Sequence, residues 1–415
     1  MFRSVFPVPA AIVMAGMLFL SAPHAGAVQY SRITASAMDS QGNTYVTGWH
    51  VIEETAAGDD YLVDIVTIKY DKYGNQVWVD HFPRTVAWGQ ANREAEAWGI
   101  AVDRDGNVYV AGHIGVPVND DCLILKYAAS HRQGDGPEWV RIISGDAGRH
   151  DQFWNVAAGA DGFIYVTGRI TQNTPTGGVT TNLITIKYAP NGNEVWRSIY
   201  DGPDKLADVG LSVVVDPGNR NVFVTGYSYR NTTAGLRASM VTLMYDAADG
   251  AIRWVRRYDG PVNGHNEGVS LALDPEGNVY VSGWSQGTGS FDFATIKYDL
   301  NGNEKWVARY DGPTNGHDQA APYPVWSIGG STAMYLQSNL GIHVTPEIID
   351  PVPALDYLME RVEATGLQPG RLNGLLAPLR VASRQLSAPS AGIHYFASNM
   401  VLAFLHEVNA LLLAG

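Results

Sequence analysis

The 415-residue sequence predicts a mainly β fold: a β-propeller of five recognisable four-stranded blades followed by a small three-helix module. Three observations lead to it. One unit recurs five times, with closing glycines at Gly48, Gly112, Gly168, Gly226 and Gly283, spaced 64, 56, 58 and 57 residues apart. Each unit reads as four short strands separated by turns rich in Asp, Asn and Gly. Beyond residue 353 the apolar period changes from that of strands to that of helices.

The elements follow in chain order. Residues 1–27 read as a secretory signal peptide: Arg3 begins it, Val8 to Leu20 is apolar, and Ala25-Gly26-Ala27 has the small side chains of a cleavage site. The mature chain is then expected to start at Val28 and to be secreted. The apolar stretch is short for a membrane span, and no Cys stands at the cleavage point to take a lipid. Residues 28–319 carry the repeats. In each, a first strand ends in a tight turn, as at Asp274-Pro275-Glu276-Gly277-Asn278. A second, aromatic strand closes on Gly, a third ends in Tyr (Tyr70, Tyr127, Tyr188, Tyr245, Tyr298), and a fourth carries Trp (Trp78, Trp139, Trp196, Trp254, Trp306). The near-continuous apolar runs of the second and third strands require cover on both faces, which blades stacked around an axis provide.

Composition agrees and narrows the partners. Apolar residues make up 46% of the chain, and 28 Lys plus Arg stand against 41 Asp plus Glu, a net charge of −13 that disfavours nucleic acid and anionic membranes. The one cysteine, Cys122, aligns with Ile65, Leu183, Met240 and Phe293, so a buried, inert thiol is expected. The recurring tryptophans are expected to be packing between blades rather than sugar platforms. Asp103-Arg104-Asp105-Gly106-Asn107 has the look of a calcium loop, but its counterparts are plain turns.

The recurring Asp-x-x-Gly-Asn turn, Val-Tyr-Val-Thr-Gly, Thr-Ile-Lys-Tyr, Asn-Gly-Asn-Glu-x-x-Trp and Tyr-Asp-Gly-Pro together resemble the bacterial secreted β-propeller repeat called SBBP, over roughly residues 30 to 319. The resemblance implies an extracellular propeller and brings no catalytic residues. Its name implies seven blades where five can be counted. Either five blades close a ring, or Pro324 to Leu336 adds a degenerate sixth element against Gln29 to Met38. Residues 337–353, with Pro346, Pro351 and Pro353, read as a linker. Residues 354–415 carry three apolar helical stripes, and Leu358 to Leu412 resembles the FIMAH module appended to some extracellular bacterial proteins. A module this small is expected to dock a partner.

For function, no G-x-S-x-G, H-E-x-x-H or P-loop is present. The variable loops between second and third strands start at Trp49-His50, His113, Arg169, Tyr227 and Trp284, the candidate ligand-binding residues. They are expected to share one face with the connections between blades, which carry Glu96, Asp151, Asp208, Glu267 and Asp318. Aromatics beside acids suit a glycan or a cation, calcium above all, unless the acids bond turn amides. The reading is a secreted non-catalytic binding or scaffolding protein for a carbohydrate or protein. The alternative is an extracellular lyase or hydrolase with its site at the channel mouth.

Overall fold

The computed structural model describes residues 31–54, 61–71, 75–82, 94–116, 119–274, 276–289 and 291–310. The expected signal peptide, closing element, linker and helical module lie outside these residues, as does Asp318. Among the described residues, twenty strands form five antiparallel sheets of four, each in simple chain order. The first holds β1 (Ser31–Met38), β2 (Thr44–Glu54), β3 (Tyr61–Tyr70) and β4 (Gln76–Phe82). The second holds β5 (Glu94–Val102), β6 (Val108–Val116), β7 (Asn119–Tyr127) and β8 (Trp139–Ile143). The third holds β9 (Gln152–Ala158), β10 (Ile164–Asn173), β11 (Val179–Tyr188) and β12 (Glu194–Tyr200). The fourth holds β13 (Asp208–Val215), β14 (Asn221–Thr232), β15 (Gly235–Asp246) and β16 (Ile252–Tyr258). The fifth holds β17 (Asn266–Leu273), β18 (Val279–Gln286), β19 (Phe291–Tyr298) and β20 (Glu304–Tyr310).

One packing rule joins successive sheets: the first strand of each lies across the first three strands of the sheet before it. So β5 packs on β1, β2 and β3; β9 on β5, β6 and β7; β13 on β9, β10 and β11; and β17 on β13, β14 and β15. This is blade stacking, and it divides the hydrophobic core into slabs between neighbouring sheets. The aromatic residue early in each second strand anchors its slab: Tyr109, Tyr165 and Phe223 are fully buried, as is Cys122, whose thiol pKa is pushed up by that burial.

The repeated motifs have identifiable physical jobs. In the first turns, the Asp103 carboxylate accepts hydrogen bonds from the Asp105 and Asn107 backbone amides (3.0 and 2.9 Å), the Asn107 side chain (2.8 Å) and the Tyr109 hydroxyl (2.9 Å). Asp39 repeats the set at Gln41, Asn43 and Tyr45. The acidic loop at Asp103 is therefore a turn whose lead carboxylate is already occupied. The closing glycines answer a different need. Each first strand carries a β-bulge, at Thr34, Trp98, Trp154, Leu211 and Val269, next to the residue that pairs with the glycine. The bulge brings a carbonyl so close that a Cβ on Gly112, Gly168, Gly226 or Gly283 would sit 1.9 Å from the oxygen of Glu96, Gln152, Val209 or Glu267.

The fourth-strand tryptophans latch each sheet to the next. Trp139 Nε1 donates to the Pro190 carbonyl (3.1 Å) and Trp196 Nε1 to that of Ala247 (3.1 Å), both in the turn before the next sheet's fourth strand. The lysine paired across from each donates to the same oxygen, Lys126 at 3.2 Å and Lys187 at 2.7 Å. The five rings do not share one environment, however. Trp78, Trp139 and Trp196 are buried, whereas Trp254 and Trp306 are only half-buried. Met244 replaces the lysine opposite Trp254, and a cleft of about 980 Å³ opens there, lined in part by Trp254, Arg256 and Leu300.

Candidate functional site

In the second to fifth sheets the second and third strands extend toward the same edge as the described connections between sheets, and hydrogen bonds join the two. The Asp151 amide donates to the Asp120 carbonyl (2.8 Å), Tyr229 N to Ala207 O (2.9 Å) and Gln286 N to His265 O (2.9 Å). Loops that vary in sequence and connections between sheets therefore share one face of this stack.

On that face the ladder register puts Trp49, His113, Arg169, Tyr227 and Trp284 at one equivalent position, each just after its closing glycine. They pair with Arg32, Glu96, Gln152, Val209 and Glu267 of the first strands. His113 is buried. It accepts a hydrogen bond at Nδ1 from Trp98 Nε1 (3.2 Å), so its proton sits on Nε2, and burial holds its pKa down to about 4. The Trp98 and Trp154 rings meet at 5.0 Å. Burial, then the charge of Glu267, pushes the Tyr227 phenol pKa up. Tyr227 meets Tyr229 edge to face at 5.6 Å, and Trp284 meets Phe291 at 4.8 Å. His50 lies against His81 at 5.7 Å.

Among the described residues, three donors on this face are buried without an acceptor: the indole N–H groups of Trp49 and Trp154, and Nε of Arg169. Trp98 and Trp154 did not figure among the sequence candidates. Their signal was present, since both stand at the bulge position of the first strand in consecutive repeats. A bulge is invisible in a pattern read with strict period two.

The acids do not form the single set expected. Glu96 and Glu267 stand at the position facing His113 and Trp284, whereas Asp151 and Asp208 stand one residue earlier, where a strand's side chains point to the other side. Asp151 accepts hydrogen bonds from the amides of Gly145 and Thr171 (the latter 2.6 Å), and Asp208 accepts from that of Gly202 (2.7 Å). Both are buried, and burial raises their pKa values, that of Asp208 to about 6. Glu267 is raised to about 7 by burial alone. No group of three or more His, Cys, Asp or Glu gathers as a metal set among the described residues. No helix among them is long and apolar enough to cross a membrane.

With the bulged strand and its glycine partner in view, comparison with known proteins is informative for the second sheet. Residues 89–116 match the β-propeller repeat SBBP. A reducing end xylose-releasing exo-oligoxylanase of Bifidobacterium adolescentis is 28% identical over 171 residues, covering 32% of this chain and 42% of that protein. The chain thus spans less than half the length of that relative. Among solved structures, the quinohemoprotein alcohol dehydrogenase of Comamonas testosteroni is similar over 69% of this chain and 64% of its own, at 12% identity and a TM-score of 0.40. A protein of unknown function from Dyadobacter fermentans is similar over 68% and 84%, at 9% identity and a TM-score of 0.41. The polysaccharide lyase Uly1 is similar over 62% and 55%, at 10% identity and a TM-score of 0.34. Nothing about site chemistry carries over from likenesses at this level.

Proposed function

We propose that this chain is a secreted, non-catalytic glycan-binding platform whose site is the loop face around Trp49, His113, Trp154, Arg169 and Tyr227. One observation carries the reading: Trp49 Nε1, Trp154 Nε1 and Arg169 Nε are buried donors with no acceptor among the described residues, and the Trp154 ring lies against that of Trp98. An unpaired buried donor costs about 1–3 kcal/mol. A ligand rich in hydroxyl or carboxylate oxygens removes that cost while its apolar faces stack on the indoles. The helical tail we assign to docking a partner. Calcium has weak support, because Asp151 commits both oxygens and Asp208 one oxygen to backbone amides, and no group of three or more His, Cys, Asp or Glu gathers among the described residues.

The test is titration of the mature chain against a glycan panel by calorimetry, with Trp154→Phe and Arg169→Gln alongside. Each variant should bind at least about tenfold more weakly, one lost charge-assisted or buried hydrogen bond being worth about 1.5–3 kcal/mol. A glycan bound equally well by wild type and both variants would sink this site. A glycan panel without any binder, together with capture of a protein ligand lost in both variants, would keep the site and replace the ligand class.

A second reading rests on Glu267. A carboxyl raised to about 7 is suited to general acid catalysis at neutral pH, as a glycoside-cleaving enzyme needs. Such an enzyme needs a second carboxyl about 5–10 Å away, and Asp151 commits both of its oxygens to backbone amides while Asp208 commits one. Release of xylose from xylo-oligosaccharides, abolished in Glu267→Gln, would establish the enzyme over the platform.

A further inference from the structure

The third repeat departs from the others at two facing positions. Just after the closing glycine, the aromatic row of Trp49, His113, Tyr227 and Trp284 is interrupted once, by Arg169. Directly across the ladder, Glu96 faces His113 and Glu267 faces Trp284, but the residue facing Arg169 is Gln152. Residues opposite one another in an antiparallel pair share a side of the sheet, so a glutamate there would stand within reach of the guanidinium. The amide carries no charge, and its Nε2 donates elsewhere, to Asp120 Oδ2 (3.1 Å). That oxygen is itself engaged, with His150 Nδ1 at 2.7 Å.

The half-buried arginines Arg141, Arg230, Arg256, Arg257 and Arg309 each donate to two or more carbonyl, hydroxyl, amide or carboxylate oxygens. Arg169, also half-buried, donates no hydrogen bond and joins no ion pair among the described residues, and its Nε is buried. Its charge is felt on both sides of the row. Beside burial, the main cause, it helps hold the His113 pKa down and limits the rise of the Tyr227 phenol. A planar guanidinium without acceptors, partly withdrawn from water, is best stabilised by an anion that brings two oxygens in one plane, as a carboxylate does.

We propose that the ligand of the loop face is an acidic glycan, and that Arg169 receives the carboxylate of a uronic acid residue. The inference rests on the glycan-platform reading and adds a charge to its ligand. The half-buried Trp154 ring, two residues beyond Gln152 in β9, lies against Trp98 at 5.0 Å and supplies a surface for the apolar side of the same sugar. The net charge of −13 repels acidic polymers at long range, so recognition has to come from a local, directional contact, which a bidentate arginine provides.

The experiment is calorimetric titration of the full mature chain with galacturonate, alginate and glucuronoxylan oligosaccharides, each beside its carboxyl-reduced, neutral counterpart. At least one acid form should bind about tenfold or more tighter than its reduced form, as loss of a charge-assisted contact predicts. Arg169→Gln should bring that ratio to within about twofold, and Arg169→Lys should keep part of it. Trp154→Phe should weaken both forms and leave the ratio unchanged. Acid and reduced forms bound alike by the wild type, or a ratio that survives Arg169→Gln, would overturn the inference and leave the glycan platform standing. Binding of a sulfated glycan with no uronate bound would overturn the carboxylate assignment. Absence of binding to every acidic and neutral form would sink the inference together with the glycan reading it rests on.

Discussion

Between the third and fourth sheets a single buried oxygen, the Ala247 carbonyl, takes two hydrogen bonds from the preceding sheet, from Trp196 Nε1 at 3.1 Å and Lys187 Nζ at 2.7 Å. Trp196→Phe removes one donor and part of a ring that is 8% exposed, for about 2 kcal/mol: roughly 1 from the hydrogen bond and roughly 1 from the lost apolar contact. Lys187→Met removes the other donor. Its cost should be only about 1 kcal/mol, because the ammonium is partly desolvated, with its pKa lowered by burial, and an apolar side chain avoids that penalty. In each single variant the oxygen keeps a partner. In the double variant it has none, which adds about 1–3 kcal/mol beyond the sum. Urea unfolding followed by far-ultraviolet circular dichroism, over the four members of the cycle, measures that excess. Additivity within about 0.5 kcal/mol would refute the shared-acceptor reasoning. The next junction is an internal comparison. There Met244 stands in the lysine's place, and Trp254, only half-buried, donates alone to Leu300 O in an exposed hydrogen bond, so water can replace the lost donor and Trp254→Phe should cost less, about 1 kcal/mol.

Two other perturbations probe the fold and its charges. Gly226→Ala forces a methyl to within 1.9 Å of the Val209 carbonyl oxygen and should destabilise by about 3 kcal/mol or more, while Gly289→Ala, with nothing within 4 Å, should stay within about 0.5 kcal/mol; equal unfolding midpoints would refute the close-approach account. Glu267 and His113 should bend the pH profile in opposite directions. The Glu267 carboxyl is raised from 4.5 to about 7, so its contribution is full below pH 4.5 and lost as pH rises through 7. The His113 ring is lowered from 6.5 to about 4, so its contribution is full above pH 6.5 and lost as pH falls toward 4. Glu267→Gln should therefore raise the melting temperature at pH 8 and lose that advantage by pH 4.5. A difference from wild type independent of pH would show that the carboxyl is not buried as described.

Much of the fold is written locally. Asp103, Gly106 and Asn107 make their turn wherever they occur, because the carboxylate caps amides two and four residues on and the glycine takes a φ of 86°. Recurrence of that turn, of the closing glycine and of the tryptophan was enough to place four strands in each of five sheets. The site was less legible. The acids Glu96, Asp151, Asp208 and Glu267 recur nearly in step, yet a shift of one residue sends a strand side chain to the opposite face. Only the register shows that two face the aromatic row while two close turns.

The sequence by itself determined the repeat, the strand order within each sheet and the residue types of the slabs between sheets, because these depend on contacts between neighbours in the chain or on periodicity. The tertiary structure decided what depends on where one sheet meets the next. It showed that the closing glycine makes room for a bulged carbonyl, and that Trp196 and Lys187 converge on one oxygen about 50 to 60 residues away. It also showed that Trp49, Trp154 and Arg169 bury donors with no acceptor among the described residues. Periodicity sets which side of a strand a residue faces, but the partner across the gap is set by how two twisted sheets pack, and that is decided only when the whole stack is assembled.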